Sequence, residues 1–288
     1  MKLKFRRNKQ ELIKVDKTLL TVDPEGFLDR KPRSNLRGKV TTHVKKIKPR
    51  GGFSIILHGI LTVLLPFVLY TLVRVEFAQL AVVVVLLSKW RMFAVKARHW
   101  PANVRANAVD IIVGIATVLF MTKTHSQGLQ FIWAILYGVW LVVIKPKSTT
   151  LWIGVQAMIG QLAGLMALYA VYGNSNISIL VASSAAICYL SARHFFSAFD
   201  EAMGRTTSYV WAYFGASVAW LLSHWLIFYG VVAQPTLIMS VVGYSLAALY
   251  YLHQTDRLTK NVQRQFVAVL SAILLFLIVF SDWSDKTT

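Results

Sequence analysis

Residues 149–172 read TTLWIGVQAMIGQLAGLMALYAVY, twenty-four positions without a charged side chain or a proline. A helix of that length rises about 36 Å, more than the roughly 30 Å of a bilayer's hydrocarbon core, so the segment reads as a membrane span. Gly154, Ala157, Gly160 and Gly164 recur at spacings of three and four and form one small-residue face. Gly160 and Gly164 make the small-xxx-small pair by which lipid-embedded helices approach one another. Gln156 and Gln161 interrupt the apolar run. Five residues apart on a helix, they point about 140° away from each other. Each is therefore a separate candidate, either bonding a neighbouring helix or lining a polar pocket.

Outward from this segment the same reading finds eight more runs, giving nine in all: 53–73, 76–95, 107–122, 128–144, 149–172, 176–196, 206–230, 235–253 and 264–282. The third and fourth are short and the link between the first two is tight, so eight spans result if one run is re-entrant. Lys and Arg favour cytoplasmic loops. With the N-terminus inside, 28 of the 31 basic residues fall on the inner side in strict alternation, and only Arg74, Lys123 and Lys286 fall outside. The expected fold is thus an all-α, polytopic transmembrane helical bundle of about nine spans in the cytoplasmic membrane, N-terminus in and C-terminus out.

Composition agrees with this segregation. The 288 residues carry a net charge of +19, yet 56% are apolar and 15% charged, with a mean hydropathy of +0.55. A soluble domain carries nearer a quarter charged residues. Cys188 is the only cysteine, which excludes an intrachain disulfide framework. Residues 1–50 hold 16 basic and five acidic residues, a net +11, and no apolar run of signal-peptide length. They are read as an uncleaved cytoplasmic tail, with 51–288 as the membrane domain. Lys45, Lys46, Lys48 and Arg50 stand just before the first span, where basic clusters are drawn to anionic lipid. The expected partners are membrane lipids with anionic inner-leaflet headgroups and a cytoplasmic protein for the tail; nucleic acid is not expected.

Local signals mark the helix ends. Asn107, Asn176 and Thr206 stand where N-caps are wanted. Asp110 in a first turn favours the helix dipole, with a buried proton or cation site as the sharper alternative. Pro66 is expected to kink the first span and Pro101 to end the extension of the second.

Ionisable side chains inside a membrane are the default functional candidates. Only His58 and His224 lie within the apolar centres, with Arg193, His194 and Asp200 near the inner end of the sixth span. His58 and His224 differ in depth by about 13 Å, too far for a shared metal, so they are read as helix-packing or pocket polar groups beside Gln156 and Gln161. No nucleophile elbow, zinc-helix motif or phosphate loop occurs. No cofactor, metal or catalytic residue is assigned.

Residues 89–100, KWRMFAVKARHW, carry Trp90, Phe93, Ala97 and Trp100 at helical spacing between basic residues, the pattern of a helix settled at the headgroup boundary. Lys89, Trp90, Arg91, Lys96, Arg98, Trp100, Arg193 and His194 are the expected contacts to anionic lipid. Ala97-Arg98-His99-Trp100 recurs as Ala192-Arg193-His194-Phe195, which raises a parallel four-plus-four duplication of the kind transporters use. Three functions follow. The first is a permease-like transporter of an uncharged or amphipathic solute or lipid. The second is a membrane scaffold or assembly factor acting through its tail. The third is an enzyme on lipid-linked substrates, which requires Arg98, His99, Arg193, His194 and Asp200 to converge.

Overall fold

The computed structural model describes residues 53–94, 96–199, 201–224, 228–229 and 232–281. The basic tail lies outside these residues, and with it every expectation about the tail. Each of the nine apolar runs contains a helix. In chain order the helices are α1 (Phe53–Arg74), α2 (Ala78–Leu87), α3 (Trp100–Ala106), α4 (Ala108–Lys123), α5 (Gln127–Val139), α6 (Thr150–Tyr172), α7 (Ile177–Phe196), α8 (Gly204–Ser223), α9 (Gln234–Gln254) and α10 (Lys260–Phe280). A π-helical turn, Trp140–Ile144, extends α5. Between α8 and α9 stands a two-stranded antiparallel ribbon, Phe228 opposite Ala233 and Tyr229 opposite Val232, which hydropathy alone did not anticipate.

Among the described residues, five helices are long and apolar enough to cross a membrane: Gln127–Ile144, Thr150–Tyr172, Ile177–Phe196, Gln234–Gln254 and Lys260–Phe280. Ala97–Ala106 and Ala108–Lys123, bent by 63°, make a sixth if they form one broken span. Apart from the short ribbon the fold is therefore helical and, by length and composition, of membrane type. Its surface agrees: Leu61, Phe67, Leu87, Val139, Tyr213 and Val279 are among many large apolar side chains left exposed, an arrangement that suits lipid and not water.

The second run departs from expectation. α2 stops after ten residues, about 15 Å or half a hydrocarbon core. Beyond it the chain turns, and Trp90–Met92 and Ala97–His99 are short 3₁₀ turns. Side chains hold this path: Asn103 donates to the Met92 carbonyl at 3.1 Å and the Trp100 indole to the Phe93 carbonyl at 3.2 Å. The single helical face expected for Trp90, Phe93, Ala97 and Trp100 is consequently not formed, although Phe93 and Trp100 still meet edge to face at 5.3 Å. Pro101 begins α3 instead of ending a helix, because its missing N–H costs nothing in a first turn. Pro66 lies inside an unbroken α1.

The caps are mixed. Asn176 accepts from the Ser178 N–H at 2.8 Å. Asn107 occupies the cap position of α4, but its amide donates backwards to the Asn103 carbonyl. Thr206 lies within α8, whose cap position is Met203.

Three buried clusters are found among the described residues, the smallest being Ala116 and Phe120 of α4 with Ala167 of α6, and two larger ones fill most of the bundle. One joins α1, α2, α4 and α5 through Leu69, Val85, Val113, Met121 and Tyr137. The other joins α6, α7, α8 and α9 through Leu165, Leu180, Cys188, Ala219 and Met239. The glycine face of α6 connects them. A Cβ at Gly160 would stand 2.8 Å from Val109 of α4, and one at Gly164 would stand 2.6 Å from Ile112. Leu277 is the buried residue of α10, which packs against α9.

Polar contacts sort the helix ends into two sets. At one end, Lys89 beyond α2, Asp110 at the start of α4, Lys145 beyond α5, Gln156 of α6 and His194 of α7 form a connected group. Tyr250 of α9 joins Glu201, just before α8, on the same pattern. At the other end, Gln130 of α5 meets the Met121 carbonyl of α4 and the Thr124 carbonyl just beyond that helix. Gln234 of α9 likewise meets the Leu277 carbonyl of α10.

Candidate functional site

Gln161 is buried at the meeting of three helices. Its amide donates to the Met239 carbonyl of α9 at 3.0 Å, and its oxygen accepts from the Trp211 indole of α8 at 2.8 Å. Gly243 permits this approach: a Cβ there would stand 3.0 Å from the Gln161 nitrogen and 3.1 Å from the Trp211 ring. Gln161 thus bonds two neighbouring helices and also borders a cavity, although that cavity is mainly apolar and not the polar pocket considered from the sequence.

That cavity encloses about 830 Å³ between α6, α7, α8, α9 and α10, within the range of small-molecule pockets. Its walls are mainly apolar, with Phe266, Val269 and Ile273 of α10 closing one side. None of its lining residues is charged. The hydroxyls of Ser191 and Ser240 line it, are buried, and have no hydrogen-bond partner. An unsatisfied buried hydroxyl costs about 1–3 kcal/mol, so each is a position where a ligand's polar group or a water would be favoured.

Aromatic side chains border one end of the cavity. Tyr250 meets Phe195, Phe196 and Phe199 at centroid distances of 5.0 to 5.8 Å, near edge-on in each case. Its hydroxyl donates to Glu201 at 2.6 Å, and Gln254 donates to that hydroxyl at 2.9 Å. The tyrosine is thereby fixed from both sides.

Gln156 belongs to a second group. Its amide donates to the Ile144 and Lys147 carbonyls, both at 2.8 Å, tying α6 to the end of the π turn. Its oxygen faces His194 Nε2 at 3.1 Å, so that nitrogen carries the proton. Nearby, Asp110 accepts from Lys89 at 2.9 Å and Lys145 at 2.7 Å. Asp110 does stand in the first turn of α4, but its role is larger than the dipole, since it neutralises a lysine whose side chain is only 9% exposed. Burial lowers Lys89, in the turn beyond α2, to about 8, against the opposing pull of Asp110.

The other residues singled out in the sequence are scattered. His224 is exposed at the end of α8, with Nδ1 2.8 Å from the Trp220 carbonyl of its own helix, and it does not line the cavity. The side chains of His58 and Arg91, and all of Asp200, lie outside the described residues. Trp90, Lys96, Arg98 and Trp100 are exposed, as lipid contact requires, whereas Lys89 is spent on Asp110. Arg98 bonds to His99, and His194 bonds to Gln156. Among the described residues no hydrogen bond or ion pair links these two pairs. The two similar tetrapeptides differ in local structure: Ala97–His99 is a 3₁₀ turn, while residues 192–195 belong to the last turns of α7. Reasoning from the sequence missed Trp211 and Tyr250. Trp211 could have been noticed as a tryptophan well inside a span, where its N–H demands a partner, since the interfacial belt is the usual place for one. The chain matches no protein-family model, no curated protein and no solved structure, so its own residues must carry the functional reading.

Proposed function

We propose that this chain is a nine-span protein of the cytoplasmic membrane, N-terminus inside and C-terminus outside, that takes an uncharged or amphipathic molecule of lipid type into the cavity between α6 and α10, as a permease does. The cavity carries the reading. It has an uncharged, largely apolar lining, a fixed amide at Gln161 and two unpartnered hydroxyls at Ser191 and Ser240. Such a lining suits a long apolar body with one or two hydrogen-bonding groups, and desolvating a bare ion there would be costly. The topology is supported by the sorting of helix ends, because the ends that meet at Asp110 and at Glu201 are those the basic residues assign to the inner side.

The test is extraction of the molecules that accompany the purified protein, identified by mass spectrometry, for the natural chain and for Ala247→Trp, which fills the cavity from α9. A lipid-like molecule retained by the first and lost from a folded variant is the expected result. Equal retention by both would remove the cavity from the function.

A second reading, a scaffold acting through its tail, is favoured by the +11 carried on fifty residues, more than orientation requires. Deleting residues 1–46 while keeping Lys48 and Arg50 should then abolish function without changing insertion. A fully active truncation would dismiss it.

A further inference from the structure

On α7 and α8, outside the set of residues that line the cavity, Tyr189 and Tyr209 stack with ring centroids 4.8 Å apart and planes 28° from parallel. Three arginines surround the pair. Arg205, one turn before Tyr209, holds its guanidinium carbon 5.8 Å from that ring's centroid, within cation–π range. Arg193, one turn after Tyr189, has a buried Nε with no hydrogen-bond partner. Arg105 lies in the last turn of α3, which packs against α7, and its charge acts on both tyrosines.

Among the described residues no acid forms an ion pair with these arginines. Asp110 is held by Lys89 and Lys145, and Glu201 by Tyr250 and Gln254. Glu76 and Asp256 stand in the turns after α1 and α9. Like charges gathered without a counter-charge repel, and a bound anion removes that penalty. Guanidinium forks fit phosphate oxygens in pairs, and tyrosine hydroxyls add donors.

We propose that Arg105, Arg193 and Arg205, gathered around the stacked Tyr189–Tyr209 pair, bind the phosphate of an anionic phospholipid headgroup. A lipid is favoured over a soluble phosphate because the apolar path continues from the arginines. Tyr209, Tyr213 and Trp220 share one face of α8 and are 51%, 77% and 57% exposed, giving an acyl chain a surface to follow away from Arg205. The site is independent of the cavity, and its failure would leave the permease reading untouched.

The experiment reconstitutes the full chain in nanodiscs of mixed phosphatidylglycerol and phosphatidylcholine and counts, by native mass spectrometry, the lipids that stay bound. The natural chain should retain phosphatidylglycerol preferentially. Arg105→Gln/Arg193→Gln/Arg205→Gln should lower that preference about tenfold or more, the effect of losing charge-assisted hydrogen bonds. Arg205→Gln alone, at an exposed position, should lower it in part while leaving thermal unfolding unchanged. Arg257→Gln/Lys260→Gln/Arg264→Gln, which removes the same charge at exposed positions elsewhere, should preserve it. Equal preference in the triple variant and the natural chain would overturn the proposal, as would equal loss in the control. Displacement of phosphatidylglycerol by inorganic phosphate would overturn the lipid assignment and leave a plain phosphate site.

Discussion

Lys89 and Asp110, twenty-one residues apart, meet at 2.9 Å with side chains only 9% and 12% exposed, and Lys145 completes the group at 2.7 Å. One carboxylate thus joins the end of α2, the start of α4 and the end of α5. Removing it leaves a buried ammonium without a partner, whereas removing Lys89 leaves Asp110 with Lys145. Breaking a buried pair from the side that strands a charge costs about 3–5 kcal/mol. Asp110→Asn should therefore lower the thermal unfolding midpoint in detergent much more than Lys89→Gln. Equal shifts for the two variants would show that the triad is not the main support of this junction.

The glycine face of α6 makes a prediction of contrasts. A Cβ at Gly164 would stand 2.6 Å from Ile112 and 3.1 Å from Ile187, while one at Gly59 meets nothing within 4 Å. Forcing a methyl into a packed interface costs about 1–3 kcal/mol. Gly164→Ala should destabilise the purified protein by that order, and Gly59→Ala should be neutral or slightly stabilising, since alanine is the better helix former. Size-exclusion profiles and unfolding midpoints of the two variants check this, and a harmless Gly164→Ala would mean that α4 and α6 are not in close contact.

These two cases show what the sequence could and could not disclose. Hydropathy located a helix in each of the nine runs because burying or lipid-facing apolar residues dominates the energetics of each segment, and the small-residue spacing identified the close-packing face of α6 for the same local reason. The shortened α2 was not legible. The apolar residues Trp90, Met92, Phe93 and Val95 continue the run, and only tertiary bonds, Lys89 to Asp110 and Asn103 to Met92, show that the chain turns there. The divergence of Gln156 and Gln161 followed from helix periodicity, but their partners come from 38 to 78 residues away in the cases of His194, Trp211 and Met239. No local pattern encodes such pairings.

Gln161 and Trp211 should accordingly be coupled. Gln161→Leu strands the indole N–H of Trp211, and Trp211→Phe frees the Gln161 oxygen. Each loss should cost about 1–3 kcal/mol, and the double variant should be less destabilised than the sum by roughly 0.5–1.5 kcal/mol, the worth of one hydrogen bond. Gln156→Leu combined with Gln161→Leu should instead be additive, because the two amides have no partner in common. Unfolding of the single and double variants gives both cycles. Strong coupling between the glutamines would contradict the separation of the two groups.

Cys188 makes the topology directly measurable. It is fully buried, and a Cβ added at Gly215 would stand 2.6 Å from its sulfur, so the only thiol of the chain is enclosed. The natural protein should resist a membrane-impermeant maleimide until it is denatured, which leaves a silent background for introduced cysteines. Ser126 between α4 and α5 and Ser148 between α5 and α6 are both exposed, at opposite ends of α5. In the nine-span orientation Ser126→Cys should label in intact cells, whereas Ser148→Cys and the exposed Thr255→Cys should label only after permeabilisation. Labelling of Ser148→Cys from outside would invert the central helices. Labelling of Ser148→Cys and Thr255→Cys from opposite sides would instead require one fewer or one more crossing between them, with α8, whose composition is the least apolar of the long helices, as the first segment to re-examine.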